Sequence, residues 1–293
     1  MQARALVGLI GNNIMLSLSP ALHEDAFAAA GMAGHYHLMD LAILKGRRLA
    51  EIFQAVRTVG FAGVNVTHPY KEAILPLLDE VSADARAVGA VNTVVIDGGG
   101  RSFGYNTDRL GFSRAFAETL GIDAVAGKTV AVIGAGGAGR AVAFALKDIG
   151  AGHLHIHDKD QARATALCAD LMVHFGTQSC AVAIEPARAV DSAAGIVNAT
   201  PIGMLGYSGL PIAASLISKE QWVADVIYTP IETDLLAAAR RKGCRVMNGA
   251  GMCVHQAAES FRLFTGINPD VARMHRTFAA ACDRRDAALA AVS

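Results

Sequence analysis

The sequence carries no excess charge of either sign: Lys+Arg and Asp+Glu both number 26, for a formal net charge of +0. That removes the bulk electrostatic attraction by which most proteins hold a nucleic-acid backbone, so no nucleic-acid partner is expected. Cysteine is sparse, with Cys168, Cys180, Cys244, Cys253 and Cys282. The number is odd and no pair has Cys-x-x-Cys spacing. A disulfide framework and a cysteine-rich metal site are therefore not expected, and a reducing cytoplasm fits. Long apolar runs are also missing. Residues 5–22 are uncharged after Arg4, but Asn12 and Asn13 interrupt them and no clear cleavage site follows, which argues against a signal peptide. Residues 193–218 are uncharged too, yet Asn198, Pro201, Pro211 and several glycines break them, so a membrane span is not expected. There is no internal repeat and no low-complexity tail.

What the chain does have is apolar content and alternation. Hydrophobic residues make up 53% of 293, enough for a sizeable core, and the length suggests two domains of roughly 150 residues each. Short β-like runs alternate with helical ones. Strands are expected at 5–11, 36–40 and 62–66, with helices at 20–30, 49–59, 69–78 and 83–88. Residues 93–97 and 102–106 flank a Gly98-Gly99-Gly100 turn and read as a hairpin. A helix at 110–120 leads into a second series: strands at 129–133, 153–157, 181–184, 196–198, 223–227 and 245–247, with helices at 138–149 and 161–174. Near-continuous apolar strands separated by helices indicate an α/β fold with a parallel, doubly wound sheet. Two closing helices, 249–264 and 269–291, have no strand after them and are expected to return to the first domain. The expected organisation is residues 1–108 completed by 250–293, and a nucleotide domain at 109–249.

The sharpest general motif is Gly134-Ala135-Gly136-Gly137-Ala138-Gly139, which follows an apolar strand and opens a helix. Gly134 would make the tight turn, Gly136 would admit a pyrophosphate close to the backbone, and Gly139 would let helix and strand pack closely. The helix N-terminus would face the negative charge. Asp158 ends the next strand 19 residues after Gly139. A carboxylate there can accept hydrogen bonds from the ribose hydroxyls and repels a 2′-phosphate, so NAD is expected rather than NADP. Asp158 could instead cap the following helix.

Polar groups gather where other strands should end: Ser17 and Ser19, Asn65 and Thr67, Asn92, and Asn106-Thr107-Asp108. Hydroxyls and amides at strand carboxyl ends suit an uncharged polyol. Lys71 and Asp108 are the best acid/base pair. A lysine ammonium can donate to a developing alkoxide, and a carboxylate can orient it. Each residue alone could equally be a surface lysine or a helix cap.

These segments resemble the shikimate dehydrogenase family, in its quinate/shikimate branch. The matching pieces are residues 17–23 (SLSPALH), 63–71 (GVNVTHPYK), 89–93 (GAVNT), 104–108 (GYNTD), the glycine loop, 198–204 (NATPIGM), 225–230 (DVIYTP) and 248–252 (NGAGM), followed by Gln256-Ala257 and Phe264-Thr265-Gly266. They run in order along nearly the whole chain. The resemblance implies an NAD-dependent oxidoreductase interconverting shikimate and 3-dehydroshikimate, with quinate as a further substrate, bound in a cleft between two domains. Ser17 and Ser19 would take the substrate carboxylate, and Lys71 and Asp108 would be the catalytic pair. Asn65, Thr67, Asn92 and Gln256 would contact the carboxylate or ring hydroxyls, and Tyr228 would border the cleft. Asn198, Thr200, Met204 and Gly251 would line the cofactor. The meeting of Lys71 and Asp108 within a few ångströms is the expectation on which this mechanism depends.

Departures from the family pattern sharpen these expectations. NADP-using members commonly carry Asn-Arg-Thr where this chain has His157-Asp158-Lys159, which again favours NAD. Some quinate-oxidising members have Ser-Leu-Thr-Pro at the first motif; Ser19 here favours shikimate, though one methyl discriminates little. His68 stands where an aliphatic residue is common. Alternatives are a dehydrogenase for aminoshikimate or another cyclic polyol acid, and a non-catalytic NAD-binding protein, which the intact Lys71/Asp108 pair opposes. A monomer or homodimer is compatible with the sequence. His153, His155 and His157 share one strand face, but no carboxylate or cysteine constellation supports a metal there. His23 and His255 are read as packed or supporting histidines, Trp222 as core, and Arg284-Arg285 as a solvated helix face.

Overall fold

The computed structural model describes residues 3–291. It divides into two compact units, residues up to Thr107 together with those from Val254 onward, and Asp108–Cys253. The first unit contains β1 (Arg4–Gly11), α1 (Ser19–Ala29), β2 (Ala33–Asp40), α2 (Leu49–Thr58), β3 (Gly63–Val66), β4 (Glu80–Val81), α3 (Ala83–Val88), β5 (Thr93–Ile96) and β6 (Ser102–Tyr105). Their sheet has the order β2-β1-β3-β5-β6-β4. β1 pairs in parallel with β2 and β3, and β5 runs antiparallel to both β3 and β6. Both faces are covered. Val7, Leu9, Phe27, Tyr36 and Phe261 pack on one; Ile10, Phe53, Val56, Val64 and Val66 pack on the other. Alternate residues of β1 thus enter opposite cores, as the period of a strand requires.

The second unit begins within α4 (Thr107–Thr119), at Asp108, and continues with β7 (Thr129–Ile133), α5 (Gly137–Asp148), β8 (His153–His157), α6 (Gln161–Phe175), β9 (Cys180–Val182), α7 (Pro186–Val190), β10 (Gly195–Asn198), β11 (Trp222–Asp225), α8 (Asp234–Arg241) and β12 (Val246–Met247). These strands form one sheet, β12-β11-β10-β7-β8-β9, in which every pairing is parallel. The order steps outward from β7 in both directions, so β7 and β10 flank the point where the winding reverses. Ligands in open α/β sheets bind at such a point. α9 (Ala250–Thr265) and α10 (Val271–Ala290) close the chain. α10 is clamped to α1 by a two-pronged pair from Arg273 to Asp25, at 2.8 and 2.7 Å, with Thr277 adding a third bond. No helix among the described residues is long and apolar enough to cross a membrane.

The expected helix over residues 69–78 is absent. The chain instead makes successive turns ending in a single 3-10 turn at Leu75–Leu77. Pro76 cannot supply an N–H to an α-helical ladder, and the Lys71 carbonyl is bonded outside the segment, by the Val91 N–H at 2.8 Å. α7, α8 and the two-residue β4 were not anticipated. Arg285 is not solvated: it is 8% exposed and lies on the buried stripe of α10 with Met274, Phe278, Ala281 and Cys282, pairing with Asp286. Positions 274, 278, 281, 282 and 285 follow helical spacing, which fixes its face.

Candidate active site and nucleotide loop

In the second unit, the glycine loop joins β7 to α5. Gly134 has φ of +104°, a left-handed conformation that favours glycine. A Cβ there would lie 2.9 Å from the Ala199 carbonyl group and from Thr200 Cγ2. A Cβ on Gly139 would overlap the Gly134 carbonyl oxygen, so α5 and the loop approach as closely as they do only without a side chain. Gly136 is open: the nearest group to a Cβ there is the Arg163 guanidinium, at 3.7 Å. A tight turn, an open glycine and the start of a twelve-residue helix form a cradle that fits a pyrophosphate.

Asp158 sits beside this cradle. One of its carboxylate oxygens accepts from the Ala135 N–H at 2.7 Å and the other from the Asp160 N–H at 2.9 Å. Helix capping of α6 falls to Asp160, whose side chain accepts from the Ala162 N–H. Asn198 and Thr200 stand behind the loop. Asn198 Oδ1 accepts from the Thr200 N–H and hydroxyl at 3.0 and 2.7 Å, and its amide donates to the Ile202 carbonyl and to Asp225. The Met204 N–H turns back to the Pro201 carbonyl, Tyr228 is half-buried, and a Cβ on Gly251 would press on Ala115 at 2.9 Å.

In the first unit, Ser17 Oγ and Ser19 Oγ are 3.2 Å apart where the loop after β1 enters α1. This loop is fixed by Asp40 at the end of β2, whose carboxylate accepts from the Asn13, Ile14 and Ala42 N–H groups at 2.8–3.0 Å. Asn12 is held by the Tyr70 hydroxyl. His68 is exposed, and its carbonyl accepts from the Asn12 N–H. Lys71 and Thr67 are half-buried, and Asp108, 5% exposed, is the second residue of α4. Lys71 thus belongs to the first unit and Asp108 opens the second.

Asn65, Asn92 and Gln256 meet in one buried network. Asn65 Oδ1 accepts from Tyr36 Oη at 2.9 Å, and its amide nitrogen reaches Thr93 Oγ1 at 2.9 Å and Ser260 Oγ at 3.0 Å. Ser260 donates to the Gln256 carbonyl and stands 2.8 Å from Thr93 Oγ1 and 3.2 Å from Thr107 Oγ1. Asn92 Oδ1 accepts from the Thr107 N–H at 2.7 Å, and its amide lies 3.5 Å from Gln256 Oε1. Asn92 therefore caps the helix that carries Asp108.

His153, His155, His157 and His23 have structural roles. His153, His155 and His157 each place Nδ1 about 2.8–2.9 Å from a main-chain carbonyl, of Gln178, Ala189 and Ala183. A carbonyl only accepts, so each ring carries its proton on Nδ1. Trp222 is core: its indole N–H bonds the Ala124 carbonyl and its ring meets Phe116 edge-on. His23 is buried, stacked on Tyr36 at 4.7 Å, and its Nδ1 has no hydrogen-bond partner among the described residues. Burial lowers its pKa from 6.5 to about 3. Between these values the unfolded chain binds a proton that the folded one refuses. His23 therefore leaves stability intact above pH 6.5 and subtracts about 1.4 kcal/mol for each pH unit below it. We expect urea midpoints to fall from pH 6.5 to 4, and His23→Phe to flatten that slope. An unchanged slope in the variant would remove His23 as the cause.

Several contributors were not singled out from the sequence: Arg163, Asp40, Tyr36, Ser260 and Asp225. Asp40 was within reach, because an acidic residue at a strand's carboxyl end is the same signal that marked Asp158.

Parallel winding about β7 and β10, with a glycine cradle and an acidic residue at the next strand end, defines a dinucleotide-binding α/β protein. Residues 9–94 match the model of the shikimate dehydrogenase substrate binding domain, and residues 249–277 that of the shikimate 5′-dehydrogenase C-terminal domain. The chain is 47% identical to a quinate/shikimate dehydrogenase (NAD(+)) of Corynebacterium efficiens, over 93% of this chain and 97% of the relative. It is 45% identical to a shikimate dehydrogenase (NADP(+)) of Streptomyces avermitilis, over 92% and 93%. The solved quinate dehydrogenase of Corynebacterium glutamicum in complex with NAD superposes with a TM-score of 0.86 at 44% identity, covering 95% of this chain and all of that one. The chain belongs to the shikimate dehydrogenase family.

Proposed function

We propose that this protein is an NAD-dependent dehydrogenase that interconverts shikimate and 3-dehydroshikimate and also accepts quinate. The observation that carries the cofactor choice is Asp158, held by the Ala135 N–H at the rim of the glycine cradle. A fixed carboxylate there favours ribose hydroxyls and disfavours a 2′-phosphate. Bound NAD supplies the hydride acceptor or donor. Gly134, Ala135, Gly136, Gly137, Ala138 and Gly139 would hold its pyrophosphate, and Asp158 and Arg163 its adenosine side. Asn198, Thr200, Met204 and Gly251 would support the nicotinamide side.

Ser17 and Ser19 would take the substrate carboxylate. Thr67, Asn92, Gln256 and Tyr228 would bind the carboxylate or ring hydroxyls, with Asn65 fixing the groups behind them. Lys71 would give a proton to the carbonyl oxygen in the reductive direction and take it back in the oxidative one, and Asp108 would accept from a substrate hydroxyl. The five cysteines are all buried thiols, which supports a reducing cytoplasm as the setting.

A matrix of initial rates, with shikimate and quinate against NAD and NADP, tests this reading. We expect higher kcat/KM with NAD for both substrates, and a gain in NADP use by Asp158→Asn. Equal or better use of NADP by the unaltered protein would reject the role of Asp158. Absence of activity with either acid would reject the substrate class.

A further inference from the structure

Asp225 ends β11 with no exposed surface, and among the described residues no cation pairs with it. Its carboxylate is satisfied entirely by neutral donors. Oδ1 accepts from Asn198 Nδ2 and the Ile227 N–H, both at 3.1 Å, and Oδ2 accepts from the Thr233 hydroxyl at 2.8 Å. These donors come from three segments: the end of β10, the stretch after β11, and the cap of α8. Asn198 in turn pins Thr200 and Ile202, and the Ala199 carbonyl group and the Thr200 side chain are what a Cβ on Gly134 would strike. The Val226–Ile227 backbone likewise abuts Gly249, just before α9 and Gly251. One buried carboxylate thus ties together the supports of the glycine loop.

We propose that Asp225 is a positioning residue for the dinucleotide: it touches no nucleotide group and acts by holding Asn198, and through it the turn at 199–203, against Gly134. This rests on the reading that the second unit binds NAD. Hydrogen bonds to an ionised acceptor are roughly twice as strong as neutral ones, so the turn is held tightest while Asp225 is charged. Burial also pushes its pKa up, from 3.8 to about 6. No charged side chain faces it, among the described residues, from β10, from β12 or from the stretch after β11; at the start of α8, Glu232 and Asp234 are exposed. The support therefore weakens as pH falls through about 6.

Calorimetric titration of the full-length protein with NAD at pH 7.5, 6 and 5, alongside titration with shikimate, tests this. We expect NAD affinity to fall about three- to tenfold from pH 7.5 to 5. Asp225→Asn should show the weakened affinity already at pH 7.5, lose the inflection near 6, and bind shikimate as the unaltered protein does. Thr233→Val removes a donor to the charged form and should move the inflection to higher pH, which keeps the test available if Asp225→Asn does not fold. Unaltered NAD affinity and pH response in Asp225→Asn would overturn the proposal, as would equal losses for NAD and shikimate. An inflection left in place by Thr233→Val would also overturn it. If the unaltered protein binds no NAD at pH 7.5, the nucleotide reading itself falls.

Discussion

Replacing Lys71 with Ala is expected to lower kcat for shikimate oxidation by about 10²- to 10⁴-fold while shifting the KM for shikimate only a few-fold. The range is that of a positioned acid/base group acting on a proton in flight. Lys71 sits on the non-helical turn after β3, and its carbonyl is fixed by the Val91 N–H, so the backbone that presents it does not depend on the side chain. Calorimetry should find NAD affinity unchanged, and the melting temperature should stay close to that of the unaltered protein. A variant that loses affinity for shikimate at constant kcat would assign Lys71 to binding, and the proton would need another carrier.

Gly139→Val should have the second large effect, and on a different quantity. Even its Cβ would overlap the Gly134 carbonyl oxygen, a backbone atom that cannot swing aside. Either α5 backs away from the loop or the loop deforms; both spoil the cradle. Strain of about 3 kcal/mol corresponds to a loss of NAD affinity on the order of a hundredfold, with a lower melting temperature. Shikimate affinity, if it resides in the first unit, should persist. A variant that binds NAD normally would show that the glycine loop is not where the pyrophosphate lies.

The strand–glycine–helix frame was legible because its constraints are local. Gly134 needs its φ, Gly139 its close contact, and Asp158 its place at a strand end, and each leaves a residue type at a fixed spacing. The parallel sheet was legible for a similar reason, since strands covered on both faces read as apolar runs. Residues 69–78 were misjudged because apolar spacing outweighed Pro76 and the loss of the Lys71 carbonyl to Val91. The supports of the site were hidden for another reason. Ser260 reaches Asn65 across 195 positions, and no periodicity records such a pairing. Asp225 gave only a motif match, because its partners lie on three separate segments. The face of Arg285 was available in the spacing of α10, but paired arginines near a chain end look like a solvated surface.

The way the first unit is assembled bears on synthesis. Its sheet is complete by Tyr105, yet Phe261 on α9, and the arginine on α10 that grips Asp25, come only after the whole of the second unit has been made. On the ribosome, the apolar side of that sheet around Val7 and Leu9 waits with Phe27 of α1 in place but without Phe261, while an uninterrupted middle segment is free to fold. Nascent chains stalled before α9 should therefore be richer in chaperone contacts at their early residues than chains released in full.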